Sequence, residues 1–151
     1  MSDVVNSETR SRMMSAIRGK DTKPEMVIRK GLHALGFRYR LHVSALPGNP
    51  DVVFPKHNAV IEVNGCFWHA HGCHLFKWPD SREDFWREKL TRNKERDREN
   101  IAALRYEGWR VLVVWECALK GKNSLPVETV VEEAASWLHS EQERKTIRGK
   151  E

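Results

Sequence analysis

The chain has 151 residues and a formal net charge of +5, from 26 lysines and arginines against 21 aspartates and glutamates. This length suits a single domain with one core, and no apolar run approaches the roughly 18 residues that span a bilayer. The charge permits a nucleic-acid partner without requiring one. The 3 cysteines, an odd number in a chain whose first residues lack a signal-peptide core, argue against a disulfide framework. We therefore expect an intracellular protein whose thiols are free or bind metal.

The first half of the chain predicts two helices followed by three strands. Residues 8–20 are basic and predict a short amphipathic helix, and residues 22–25, TKPE, form a capping box for a second helix that ends near Gly36. Apolar residues alternate over 37–43, and two shorter apolar runs cover 51–54 and 59–63, so each segment predicts a strand.

The second half predicts two helices around one strand. Residues 81–84, SRED, predict the cap of a long helix over 81–107, and 109–116 predict a central strand. A last amphipathic helix is predicted over 126–139. Residues 140–151 are charged and predict a disordered tail. We therefore expect one α/β domain over residues 1–139, with a mixed sheet flanked by helices.

A metal site is predicted from the segment GCFWHAHGCH, residues 65–74. Cys66, His71 and Cys73 offer sulfur and imidazole ligands, and Cys117, just after the fourth strand, offers a fourth. Zinc favours such ligands, and four protein ligands make a closed, structural site. His74 is the alternative to His71, and ordinary buried cysteines are the alternative to a metal site.

Two carboxylates predict a second, catalytic cation site. Asp51 follows a proline at the start of one strand, and Glu62 lies near the end of the next, an arrangement similar to the PD-(D/E)xK pattern of restriction-type nucleases. Paired carboxylates can hold Mg²⁺ against a phosphate. Asn64 stands where that pattern has lysine, so His69 is the candidate general base. The alternative for Asp51 is an ordinary turn aspartate.

Asp97 lies on the apolar stripe of the predicted long helix, with Leu90, Ile101 and Leu104. An inward carboxylate needs a partner, and His69 is suitable because Asp97 would orient its ring. The alternative is a salt bridge to one of the neighbouring arginines.

Motifs along residues 8–139 resemble those of the very-short-patch repair (Vsr) endonucleases. They are RSRMMSAI, DTKPE, LPGNPD, GCFWHAHGCH, FWREK, ERDR and GWRVLVVWECAL. The resemblance implies a restriction-endonuclease-like fold with a structural zinc. It also implies an enzyme that nicks one DNA strand on the 5′ side of a thymine mispaired with guanine, the product of 5-methylcytosine deamination. The expected setting is the bacterial cytoplasm at the nucleoid, with a monomeric enzyme and MutL- or MutS-type repair proteins as partners.

The resemblance also assigns roles to individual residues. Asp51 would hold Mg²⁺ with the backbone carbonyl of Val63, and His69 would be the base, oriented by Asp97, with Glu25 in support. The zinc ligands would be Cys66, His71, Cys73 and Cys117. The residues that would enter the DNA at the mismatch are Phe67, Trp68 and Trp86 in the base stack, and Met14 and Ile17 in the other groove. Core packing is the alternative for the aromatic rings.

Glu62 is a departure, because the family does not require a carboxylate at this position. We predict that it is a secondary Mg²⁺ ligand, and a solvated or salt-bridged strand glutamate is the alternative. Two other functions stay open at this point. One is a non-catalytic, zinc-stabilised DNA-binding module, and the other is a restriction-type nuclease that cuts both strands of intact duplex.

Overall fold

The computed structural model describes residues 22–150. Its helices are α1 (Lys23–Ala34), α2 (Glu83–Tyr106) and α3 (Val127–Leu138). Its strands are β1 (Arg40–Leu41), β2 (Val52–Phe54), β3 (Ala59–Asn64), β4 (Arg110–Trp115) and β5 (Arg144–Ile147). The helix predicted over 8–20, with Met14 and Ile17, lies outside the described residues. Within the described part of the chain, no helix has the length and apolar character needed to cross a membrane.

The five strands form one mixed sheet in the order β1-β2-β3-β4-β5. The pairs β1–β2 and β2–β3 are antiparallel, whereas β3–β4 and β4–β5 are parallel. Val52 lies opposite Ile61, and continuing this register by one residue brings Asp51 beside Glu62. The predicted α/β class is confirmed, and β4 is an internal strand as expected.

Alternating side chains on the strands form a core on each face of the sheet. Ile61 and Leu112 face one side, where they pack with buried residues of α1 and α3. Val60 and Val113 face the other side and pack with Leu104 of α2. This alternation places Glu62 on the same face as Val60, toward α2. The sheet therefore lies between two helical layers.

The helix α1 agrees with its prediction more closely than the strand β1 does. Thr22 is the N-cap of α1, and its hydroxyl accepts a hydrogen bond from the Glu25 N–H. The strand predicted over 37–43 is reduced to Arg40–Leu41, because His42 adopts a positive φ of 48° that ends the extended run. The predicted SRED cap is wrong, since α2 begins after Arg82 without a side-chain cap.

The predicted disordered tail is also wrong. Residues 144–147 form β5, which pairs with the outer edge of β4, and Ile147 is 3% exposed. Arg110 holds the turn between α3 and β5, because its guanidinium donates hydrogen bonds to the carbonyls of Leu138 and Gln142. The charged composition concealed this strand, whose stability comes from backbone pairing with an otherwise open sheet edge.

Candidate active site and metal centre

A polar cleft of about 370 Å³ opens where β2 begins and β3 ends. It brings together four residues predicted to act in catalysis: Asp51, Glu62, His69 and Asp97. Two different elements supply the last two, the loop after β3 and the middle of α2. The cleft therefore gathers side chains that are up to 46 positions apart in the printed sequence.

Asp51 is held by the neighbouring strand. The Val63 N–H donates a hydrogen bond of 2.8 Å to Asp51 Oδ2. Burial raises the pKa of Asp51 to about 7, and the negative charge of Glu25 adds to this effect, although the Val63 N–H opposes it. Asp51 is therefore a carboxylate whose surroundings supply too little positive charge to stabilise its ionised form.

The carboxyl group of Glu62 also has a raised pKa. Burial raises its pKa to about 8, with further contributions from the charges of Asp51 and Asp97, while the Asp51 backbone N–H acts in the opposite direction. A carboxylate whose pKa is raised by a neighbouring carboxylate gains free energy by sharing a cation with it. Two such groups on adjacent strands can thus hold a metal ion.

His69 and Asp97 form the predicted pair. His69 Nδ1 contacts Asp97 Oδ2, and the two side chains are 21% and 29% exposed. With Nδ1 engaged by the carboxylate, Nε2 is the nitrogen that can take up a proton. Asn93, also on α2, donates to the Trp68 carbonyl at 3.1 Å, which fixes the backbone immediately before His69.

Glu25 reaches the cleft through a contact that the sequence did not predict. Glu25 is 1% exposed, and its Oε2 lies 2.7 Å from Arg29 and 2.9 Å from His42 Nε2. The nearest ligand atoms of Glu25, His42 and Asp51 all lie within 4.8 Å of one another. His42 is therefore part of the site, and no sequence motif marked it.

Two cations missed at the sequence level line an adjoining cleft. Lys89 and Arg96 project from α2 into a cavity of about 350 Å³ that His69 and Asp97 also line. Because both residues lie on the same helix as Asp97, helical spacing in the sequence could have indicated their position. Positive side chains there can bind the backbone phosphates of a nucleic acid that passes the cleft.

The candidate metal centre brings together the four residues that were predicted: Cys66, His71, Cys73 and Cys117. Their ligand atoms lie within 4.8 Å of one another, so the cluster could hold a metal ion. His71 Nδ1 is 3.5 Å from Cys66 Sγ and 3.7 Å from Cys117 Sγ. His74, the alternative ligand, is exposed and lies 3.3 Å from the Asn123 side chain.

The surroundings of the metal centre keep its ligands in place. The His71 ring stacks on Trp115 with centroids 3.9 Å apart, and Glu116 Oε1 accepts a hydrogen bond from the Cys66 N–H at 3.0 Å. Burial, together with the charges of Arg148 and Lys94, lowers the pKa of His71 to about 4, so the ring is neutral as a metal ligand must be. Burial raises the pKa of the Cys66 thiol, a cost that a bound cation would remove.

The three aromatic residues predicted to enter DNA form one cluster. Phe67 meets Trp68 edge to face at 5.1 Å, and Trp86 of α2 lies 5.4 Å from Phe67 and 6.0 Å from Trp68. All three side chains are half-buried rather than fully exposed, and they lie outside the two cores of the sheet. This aromatic cluster adjoins His69 directly.

The sequence is also similar to that of known proteins. A model of the family described as DNA mismatch endonuclease Vsr matches residues 2–75. The chain is 47% identical over 125 residues to Type II nicking enzyme V.XorIIP of Xanthomonas oryzae pv. oryzae, covering 83% of this chain and 92% of that one. It is 45% identical over 141 residues to DNA mismatch endonuclease Vsr of Escherichia coli strain K12, covering 93% and 90%. The chain therefore belongs to the Vsr family of DNA mismatch endonucleases.

Proposed function

We propose that the protein nicks one DNA strand on the 5′ side of the thymine in a T:G mispair, in very short patch repair of deaminated 5-methylcytosine. The observation that carries this proposal is the cleft, in which the His69–Asp97 pair lies beside Asp51 and Glu62. Relatives of similar length are named as mismatch endonucleases or nicking enzymes. The fold that we infer for this arrangement is restriction-endonuclease-like.

Mg²⁺ is the catalytic cation that fits the cleft. Hard oxygen ligands suit it, and the raised pKa values of Asp51 and Glu62 indicate two carboxylates that lack a counter-charge. Asp51 and the backbone carbonyl of Val63 would hold the ion, with Glu62 as a secondary ligand. When bound, Mg²⁺ would neutralise charge that develops on the scissile phosphate.

His69 would accept the proton of the attacking water. Asp97 holds Nδ1 of the ring, so Nε2 is the acceptor, and the carboxylate stabilises the imidazolium that forms. Glu25 would act in support, through its contact with His42 at the edge of the cleft.

Zinc is the structural metal that fits the Cys₃His cluster. Tetrahedral zinc with ordinary bond lengths places sulfur and nitrogen ligands about 3.6 Å apart. The Cys66–His71 and Cys117–His71 separations of 3.5 and 3.7 Å agree with this value. Four protein ligands leave no open position, so the role of this ion is to hold the loop that carries Phe67, Trp68 and His69.

The aromatic cluster would select the lesion. Insertion of Phe67, Trp68 and Trp86 into the base stack costs less free energy at a mismatch than at a paired step, so stacking favours the mispair. We also assign Met14 and Ile17 a role in the opposite groove, by resemblance alone. His69 follows Trp68 directly in the chain. Insertion of Trp68 would therefore place the general base, His69, next to the scissile phosphate.

An asymmetric lesion requires no two-fold symmetry in the enzyme, and we infer a monomer that acts on DNA in the cytoplasm and cooperates with MutL- or MutS-type proteins. The nuclease domain would extend beyond the predicted residues 1–139 to include the strand β5 (Arg144–Ile147), which completes its sheet.

The experiment is incubation with a T:G heteroduplex and Mg²⁺ beside the fully paired duplex. We expect a single nick on the 5′ side of the mispaired thymine and an intact complementary strand. Binding without cleavage would support the non-catalytic DNA-binding module instead. Cleavage of both strands in the paired control would support the restriction-type nuclease.

A further inference from the structure

The segment after β5 contacts both parts of the chain that supply metal ligands. The Gly149 N–H donates a buried hydrogen bond of 3.3 Å to Cys117 Sγ. Arg148 donates to the carbonyl of Gly72, between the ligands His71 and Cys73, at 3.0 Å. The tail thus touches the turn that carries Cys117 and the loop that carries the other three ligands.

The fit around Gly149 is too close for a side chain. A Cβ at this position would lie 2.5 Å from the Cys117 carbonyl oxygen and 2.8 Å from that of Asn123. The Lys150 N–H also donates to the Asn123 carbonyl at 2.7 Å, which holds the tail against the same turn. The parallel pairing of Val114 with Ile147 sets the height at which the tail passes the metal centre.

A hydrogen bond to a metal-bound thiolate has a direct chemical effect. The sulfur carries negative charge when it binds a metal, and an N–H donor stabilises that charge and fixes the direction of its lone pairs. Contacts of this kind around metal ligands commonly change metal affinity by about 10- to 100-fold. Arg148 also contributes, because its guanidinium holds the backbone of the loop that carries the other ligands, through the Gly72 carbonyl.

We propose that residues 148–150 are a positioning element of the metal centre, in which the Gly149 N–H stabilises the Cys117 thiolate and Arg148 ties the opposite loop to it. The inference rests on the proposed zinc occupancy of the Cys₃His cluster. It gives the C-terminal tail a function, which is to slow the loss of zinc and to keep the loop of Phe67 and Trp68 rigid.

Gly149→Ala in the full chain is the first test, with Gly72→Ala as the matched control. A Cβ at Gly72 meets nothing within 4 Å, so the control adds the same methyl group to the metal loop without a clash. We expect zinc transfer to the chelator 4-(2-pyridylazo)resorcinol to be about tenfold faster in Gly149→Ala and unchanged in the control.

A second variant removes the donor without adding an atom that clashes. Replacement of the Arg148–Gly149 amide by an ester, through semisynthesis of the full chain, exchanges the N–H donor for an oxygen of similar size and leaves every side chain unchanged. With Co²⁺ in place of zinc, we expect its thiolate-to-metal charge-transfer band to move to longer wavelength, because the sulfur lone pair loses stabilisation. Zinc release should again be faster, while circular dichroism stays that of the native protein.

Two results would overturn the inference, and they are distinguishable. An ester variant with native zinc release and a native Co²⁺ spectrum would show that the zinc centre is correct but the tail plays no part in it. A native protein that binds neither Zn²⁺ nor Co²⁺ would contradict the proposed zinc site itself.

Discussion

Replacement of Glu62 by glutamine tests whether this carboxylate helps to hold the catalytic cation. The pKa of Glu62 is raised to about 8 and that of Asp51 to about 7, in each case chiefly by burial. A carboxylate binds a metal ion in its ionised form, so protons compete with Mg²⁺ in this pH range. The competition should be visible as a pH-dependent Mg²⁺ requirement.

The size of the effect follows from the two pKa values. At pH 7 about half of Asp51 and about one-tenth of Glu62 are ionised, whereas at pH 9 both are almost fully ionised. If both carboxylates engage the cation, the apparent Mg²⁺ affinity of the native protein should rise about twentyfold from pH 7 to pH 9. In Glu62→Gln only Asp51 titrates, so the rise should be about twofold at most.

The assay is single-turnover nicking of a T:G duplex, titrated with Mg²⁺ at both pH values. The half-saturating Mg²⁺ concentration is read separately from the maximal rate, so that effects of pH on the chemical step do not enter. Glu99→Gln, at an exposed position of α2, is the matched control. We expect Glu62→Gln to need more Mg²⁺, most clearly at pH 9, and to keep substantial activity at saturation.

Two outcomes would refute this reasoning. Superimposable titrations of native protein and Glu62→Gln at both pH values would make Glu62 a bystander in the cleft. Complete inactivity at saturating Mg²⁺ would instead make it a primary ligand, contrary to the secondary role assigned above.

Three further predictions address the base, the aromatic cluster and the zinc centre. His69→Ala should lower the nicking rate by about 100- to 10,000-fold at saturating Mg²⁺, the usual contribution of a general base, and a smaller loss would reassign that role. Trp68→Ala should reduce the preference for T:G over T:A duplex by about tenfold in competition binding, since one stacked base is worth about 1–3 kcal/mol, whereas equal losses on both duplexes would indicate a folding defect. Cys117→Ala should lose its zinc, about one ion per chain in the native protein, and should melt at a lower temperature; unchanged metal content would make the ligand assignment wrong.

The Cys₃His cluster was predictable because its members are recognised by their side-chain chemistry rather than by the conformation of the chain. The 3 cysteines of the chain and one histidine were enough to name all four members of the cluster, and their contacts confirm that they lie together. The pairing of His69 with Asp97 was predictable for a related reason, since a carboxylate on an apolar helical stripe needs a partner.

The contact between Glu25 and His42 was not predictable. It depends on a positive φ at His42, a conformation that non-glycine residues adopt rarely and that no local pattern here announces. The two residues are also 17 positions apart, and their contact joins α1 to the segment that directly follows β1.

The prediction of a disordered tail was wrong for a different physical reason. A charged composition describes how weakly a segment drives its own folding, but β5 is stabilised by backbone hydrogen bonds to β4 and by burial of Ile147. The Arg110 contacts with the Leu138 and Gln142 carbonyls, which lie just before β5, also join residues that are distant in the sequence. Such long-range support is visible only once the sheet is assembled.

The central claim is that the cleft around Asp51 cuts DNA with the help of a cation, and Asp51→Ala tests it most directly. Binding to a T:G duplex and nicking of that duplex in Mg²⁺ are measured side by side, with Asp84→Ala, at an exposed position, as the control. We predict that Asp51→Ala binds the mismatched duplex with native affinity and leaves it intact, while the control binds and nicks it. Robust nicking by Asp51→Ala would contradict the proposed mechanism.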